Sequence, residues 1–133
     1  MMKILILVLF IGFNISVKAQ YGDAPFTYVE NMPEYKDGSK AMYHFISQNV
    51  HYPDSCRTDK GIIYTIVQFT VDTSGFIKNP VVLKGADCGV NEESLRVINL
   101  MNEGGPHWNP GMHNHYKVNV LFTLPVKFKP SKQ

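Results

Sequence analysis

Gly61-Ile62-Ile63-Tyr64-Thr65-Ile66-Val67-Gln68-Phe69-Thr70-Val71-Asp72-Thr73-Ser74-Gly75-Phe76-Ile77-Lys78-Asn79-Pro80-Val81-Val82-Leu83-Lys84 is the stretch that decides the fold, and it reads as a β-hairpin. Its first arm is rich in β-branched and aromatic residues, with Ile63, Thr65, Val67, Phe69 and Val71 on one face at period two. From Gln68 onward the opposite face is polar, with Thr70 and Asp72. A slip of one residue would turn the whole apolar set to solvent, so the register is strongly specified. Asp72-Thr73-Ser74-Gly75 supplies the turn, since Gly75 is free to take a positive φ. In the returning arm Pro80 can donate no ladder hydrogen bond, which predicts an edge strand or a bulge there. The first arm is then the central strand.

Working outward, Ser39 predicts the start of a helix whose Met42, Phe45, Ile46 and Val50 share one stripe. That helix stops at His51-Tyr52-Pro53, because the residue before a proline is pushed out of the helical region. After a loop over residues 85–89, Asn91 predicts a second helix start. Glu92 and Glu93 fall in its first turn, and Val90 and Leu95 have the spacing of a hydrophobic staple. Leu95, Ile98 and Met101 form its buried stripe, and Asn102-Glu103-Gly104-Gly105-Pro106 ends it. A last strand spans residues 116–128, with Tyr116, Val118, Val120, Phe122, Leu124, Val126 and Phe128 on one face. Lys117, Asn119, Thr123, Pro125 and Lys127 lie on the other. The order helix, strand, strand, helix, strand predicts an α+β domain, two helices packed on one face of a three-stranded antiparallel sheet.

The chain of 133 residues has room for one such domain. Residues 1–19 read as a cleavable secretory signal peptide: a short basic start at Lys3, an apolar run over residues 4–15, and Val17-Lys18-Ala19 ahead of the cleavage point. The run is shorter than the roughly 20 residues of a membrane span. The alternative is an uncleaved signal holding the protein at the inner membrane. Residues 20–38 form an extended lead-in and residues 39–130 the domain. Thirteen Lys and Arg face eleven Asp and Glu, and removal of Lys3 and Lys18 balances the two. With no basic stripe there is no electrostatic case for nucleic acid.

Both cysteines, Cys56 and Cys88, lie in the exported part, where an even count suggests a disulfide. With the hairpin turning at Ser74 and Gly75, residue 61 lies opposite about residue 88, so both cysteine loops leave the same end of the sheet. Two unpaired buried thiols are the alternative. His107, His113 and His115 surround a polar loop with no acid or cysteine nearby in sequence, so they read as loop surface, with no metal and no cofactor expected. Trp108 reads as a core plug under that loop. Neither a nucleophile elbow, a His-Glu-x-x-His nor a Cys-x-x-Cys is present, so no enzyme is expected. A thiol or metal hydrolase would require free thiols or bound zinc.

The last strand carries the candidate site. Alternate residues of a strand turn their backbone groups to opposite neighbours. Pro125 belongs to the odd set, so the even set faces the inner partner and the backbone groups of Lys117, Asn119, Leu121 and Thr123 face an open edge. Such an edge can accept an extended peptide as an added strand. Alternatively, Lys117, Pro125 and Lys127 are placed to prevent edge pairing.

Over residues 29–128 the chain resembles the TonB C-terminal domain family in its Bacteroidota form. The resemblance is carried by Val29-Glu30-Asn31-Met32-Pro33-Glu34-Tyr35, Tyr52-Pro53, Val67-Gln68-Phe69 and Gly75-Phe76-Ile77. It continues in Glu93-Ser94-Leu95-Arg96-Val97-Ile98, Trp108-Asn109-Pro110-Gly111 and Pro125-Val126-Lys127-Phe128. It implies a periplasmic module whose last strand pairs with the TonB box, a short extended peptide of an outer-membrane transporter, in transport energised through ExbB and ExbD. The chain departs from the force-transmitting members, which have a transmembrane helix and a long proline-rich spacer. It also has Ile63 near the family's usual glycine and an insertion over residues 101–107. The reading is therefore a binding module that does not itself transmit force. The alternative partner is a second copy, in a dimer through the same strand.

Overall fold

The computed structural model describes residues 24–57 and 61–131. The signal-peptide reading of residues 1–19 and the first part of the lead-in lie outside the described residues. The chain runs β1 (Glu34–Tyr35), α1 (Gly38–Asn49), a 3-10 turn (Asp54–Cys56), β2 (Ile63–Val71), β3 (Ile77–Lys84) and α2 (Val90–Leu100). It continues with β4 (Trp108–Asn109), β5 (Gly111–His113), β6 (Tyr116–Val118) and β7 (Val120–Phe128). Among the described residues the fold is α+β, with two α-helices and an antiparallel sheet of order β3-β2-β7. The first hairpin arm is the central strand, as its composition predicts.

The hairpin turn is locked by its own residues. Asp72 Oδ1 accepts from the backbone N–H of Ser74 at 2.9 Å and of Phe76 at 3.0 Å, and the Gly75 N–H donates to the Asp72 carbonyl at 3.0 Å. Gly75 sits at φ +87° against the Trp108 carbonyl, where a Cβ has no room. Pro80 lies in β3, an edge strand whose register against β2 shifts between Ile66 and Val67 and again between Gln68 and Thr70. Both outcomes expected of the proline therefore coincide.

One face of the sheet carries the core. Val67, Phe69 and Val71 of β2 and Leu124, Val126 and Phe128 of β7 pack with Met42 and Ile46 of α1 and with Val90, Val97 and Ile98 of α2. Trp108 is the expected plug, 1% exposed, with its ring edge-on to Phe122 at 4.9 Å, Phe69 at 5.5 Å and Tyr35 at 5.6 Å.

Several local expectations are corrected. Asp37 holds the N-cap position of α1 and Ser39 lies inside the first turn. α2 begins at Val90 after Gly89 at φ +95°, one residue before Asn91. The Asn91 side chain instead accepts the Ala86 N–H at 3.1 Å and steadies the preceding loop. The buried residues of α2 are Val90, Ser94, Val97 and Ile98, with Met101 just beyond, and Leu95 is half-buried. The last strand is not continuous. Asn114 and His115, at φ +48° and +67°, fold β5 and β6 into a separate hairpin, and the sheet strand starts at Val120.

Cys56 and Cys88 form the expected disulfide, with Cα atoms 5.3 Å apart. Arg96 joins the two helices: its guanidinium grips both oxygens of Glu93 at 2.9 and 2.6 Å and donates to the Asn49 carbonyl at the end of α1. Glu93 also accepts the His51 N–H at 2.8 Å. The hydrogen bonds from Arg96 hold the Glu93 carboxyl below the usual range, outweighing its partial burial.

Candidate functional site: the outer edge of the last strand

The register of β7 against β2 pairs Val120 with Val71, Leu124 with Val67 and Phe128 with Ile63. The outward direction is fixed by one neighbour. The Phe26 N–H donates to the Asn119 carbonyl and the Leu121 N–H donates to the Phe26 carbonyl, both at 2.8 Å. Leu121 therefore faces away from β2, and by alternation so do Thr123, Pro125 and Lys127. The missing N–H of Pro125 falls on this outer side and costs the central ladder nothing.

The four residues expected along the edge are placed differently from one another. Lys117 lies in β6, opposite Met112 of the β5–β6 hairpin, and is not part of the sheet edge. Asn119 joins β6 to β7 with its carbonyl taken by Phe26. Leu121 is on the edge but also held by Phe26, whereas Thr123 lies beyond that contact. Among the described residues, the outward N–H groups of Thr123 and Lys127 and the outward carbonyls of Thr123, Pro125 and Lys127 have no backbone partner. Pro125 and Lys127 extend the edge past the stretch foreseen.

Phe26 belongs to a lead-in that is zipped onto the domain. Asn31 exchanges both backbone hydrogen bonds with Met112, at 3.1 and 2.8 Å; β1 pairs with β4; and the Lys36 N–H donates to the His107 carbonyl at 2.9 Å. Val29 is 1% exposed. Gly111 allows this approach, because a Cβ there would meet the Val120 side chain and the Asn31 carbonyl. Phe26 is the looser end, 44% exposed with its ring 5.4 Å from that of His113.

Beside the bare part of the edge runs a groove of about 530 Å³ between α1 and the end of β7, lined by Tyr43, Ile46, Ser47, Val50, Lys127 and Lys129. Ile46 forms its buried apolar side, and Tyr43 is half exposed. On the sheet face away from the helices the Lys127 ammonium lies 5.9 Å from the centre of the Tyr64 ring. Sequence reasoning missed the groove, because Tyr43 and Ser47 fall outside the α1 stripe that period 3.6 marks as buried. Phe26 left no signal either: a strand contact of one residue has no period.

The alternative chemistries find these residues elsewhere. Cys56 and Cys88 are tied in the disulfide and do not offer a thiolate. His107 stacks on Tyr35 and His113 lies by Phe26. Among the described residues no three His, Cys, Asp or Glu side chains converge to hold a metal. No helix of the described residues is long and apolar enough to cross a membrane. Comparison with family models, with curated proteins and with solved structures gave no match.

Proposed function

We propose that this chain is an exported, non-catalytic binding module of the TonB C-terminal type, which recognises an extended peptide such as the TonB box of an outer-membrane transporter by strand addition to β7. The observation that carries the reading is the outer edge from Thr123 to Lys127, bare among the described residues, next to the groove beside α1. An extended chain placed there gains up to two carbonyl partners for its donors at Thr123 and Lys127 flanks, a third at Pro125, and two N–H donors for its carbonyls. The module works in the periplasm and leaves force generation to a partner linked to ExbB and ExbD.

Pro125 also favours a foreign peptide over a second copy. An incoming peptide meets that missing donor once, whereas a symmetric pairing of two β7 edges meets it twice. The test is a titration of the chain from Gln20 onward with N-terminal peptides of outer-membrane transporters, followed by backbone amide NMR. Shifts centred on Thr123 and Lys127 are expected. A folded, monomeric sample that responds to no peptide would sink the reading.

A further inference from the structure

We infer that the groove between α1 and β7 selects peptides that carry two apolar side chains two residues apart with an acidic residue between them. The inference rests on the reading of β7 as a strand-addition site. A strand paired there runs about 4.8 Å outside β7. Its side chains take the same face as the β7 residues beside them.

Val126 and Phe128 point into the core, on the side covered by the helices. The peptide residues next to them therefore project towards α1, where they meet Tyr43, Ser47 and Val50 with Ile46 beneath. A volume of about 530 Å³ lies within the range of ligand sites, about 300–1,000 Å³, and takes more than one branched side chain. The residue between those two lies beside Lys127 and projects on the other face of the sheet, the face on which the Lys127 ammonium lies near the Tyr64 ring. Neither Lys127 nor Lys129 has a carboxylate within ion-pair distance among the described residues, whereas Lys78 has Asp72. An acidic side chain supplies that counter-charge. Exposed ion pairs contribute little, so the two apolar side chains carry the affinity and the acid fixes the register.

Two blocked heptapeptides test this on the chain from Gln20 onward: Thr-Thr-Val-Glu-Val-Thr-Thr and Thr-Thr-Ser-Glu-Ser-Thr-Thr, each followed at the Thr123 and Lys127 amides. The valine peptide is expected to bind at least ten-fold more tightly. Ser47→Trp, which fills the groove from the exposed side of α1, brings it down to the level of the serine peptide and leaves the serine peptide unchanged. Tyr43→Ser, which removes a wall, weakens the valine peptide alone and serves where the tryptophan perturbs the helix. Equal affinities in the unsubstituted protein overturn the selectivity and leave strand addition standing. Shifts that follow protein concentration instead of peptide mark a second copy in the groove and also overturn it. No shift from either peptide overturns this inference, whereas the reading beneath it falls only if the transporter peptides also give none.

Discussion

Thr65 and Ser94 show how a polar pair is made tolerable in an apolar core. Both are fully buried, with hydroxyl oxygens 2.6 Å apart, and Ser94 Oγ donates its own hydrogen to the Val90 carbonyl at 2.7 Å. Ser94 has one hydrogen, so Thr65 must donate to Ser94. Ser94→Ala then strands a buried donor and should cost about 1–3 kcal/mol. Thr65→Val removes that donor, leaves Ser94 bonded to Val90, and should cost less. Urea unfolding of both variants checks the order, and a larger loss for Thr65→Val would reverse the donor assignment. The inward position of Thr65 was legible in the period-two pattern of its strand. Its partner was not, because Ser94 is polar and carries no hydrophobic signal, although it lies on the same helical stripe as the buried Val90, Val97, Ile98 and Met101.

At the scale of elements, long periodic segments were readable and short pairings were not. β2, β7 and the two helices each carry enough residues to declare a period. β1, β4, β5 and β6 have two or three residues each, so their pairing depends on tertiary approach and on residues such as Gly111. The consequence for the site is that Phe26 holds the upper part of an edge expected to be bare. Phe26→Pro removes the donor to Asn119. It should raise amide exchange at Leu121 at least ten-fold, towards the rate of Thr123, while Val126, whose backbone faces β2, keeps its protection. Unchanged exchange at Leu121 would mean that the lead-in does not guard the edge. At the far side of the domain, the Cys56–Cys88 bridge closes a span of 32 residues. Replacing both cysteines by serine should lower stability by about 3–4 kcal/mol in the chain-entropy model, measured as a shift of the urea midpoint.

For the whole molecule, two carboxylates in separate regions, Asp72 in the hairpin turn and Glu93 between the helices, make the fold sensitive to acid. Asp72 is held below the usual carboxylate range. Its burial pushes the other way, but the backbone donors of Phe76 and Ser74 and the Lys78 ammonium outweigh it. Glu93 is lowered chiefly by Arg96. In the unfolded chain both titrate near the ordinary values of about 4. Between those values and the lower folded ones the unfolded state binds more protons, so stability is fully present above about pH 5 and falls as the pH drops through the folded pKa values. Asp72→Asn keeps an oxygen for the Ser74 and Phe76 N–H groups and removes the charge; Glu93→Gln does the same for His51. Each should flatten part of the fall in unfolding free energy between neutral pH and about pH 3. Asp72 closes the hairpin, while Glu93 sits one residue from Ser94, the partner of Thr65, seven strand residues or roughly 23 Å away along β2. At that separation the effects should add to within about 0.5 kcal/mol in the double variant. A double variant with the acid slope of the parent would place the critical protonation elsewhere. A strongly non-additive pair would show that the turn and the helix clasp open as one unit.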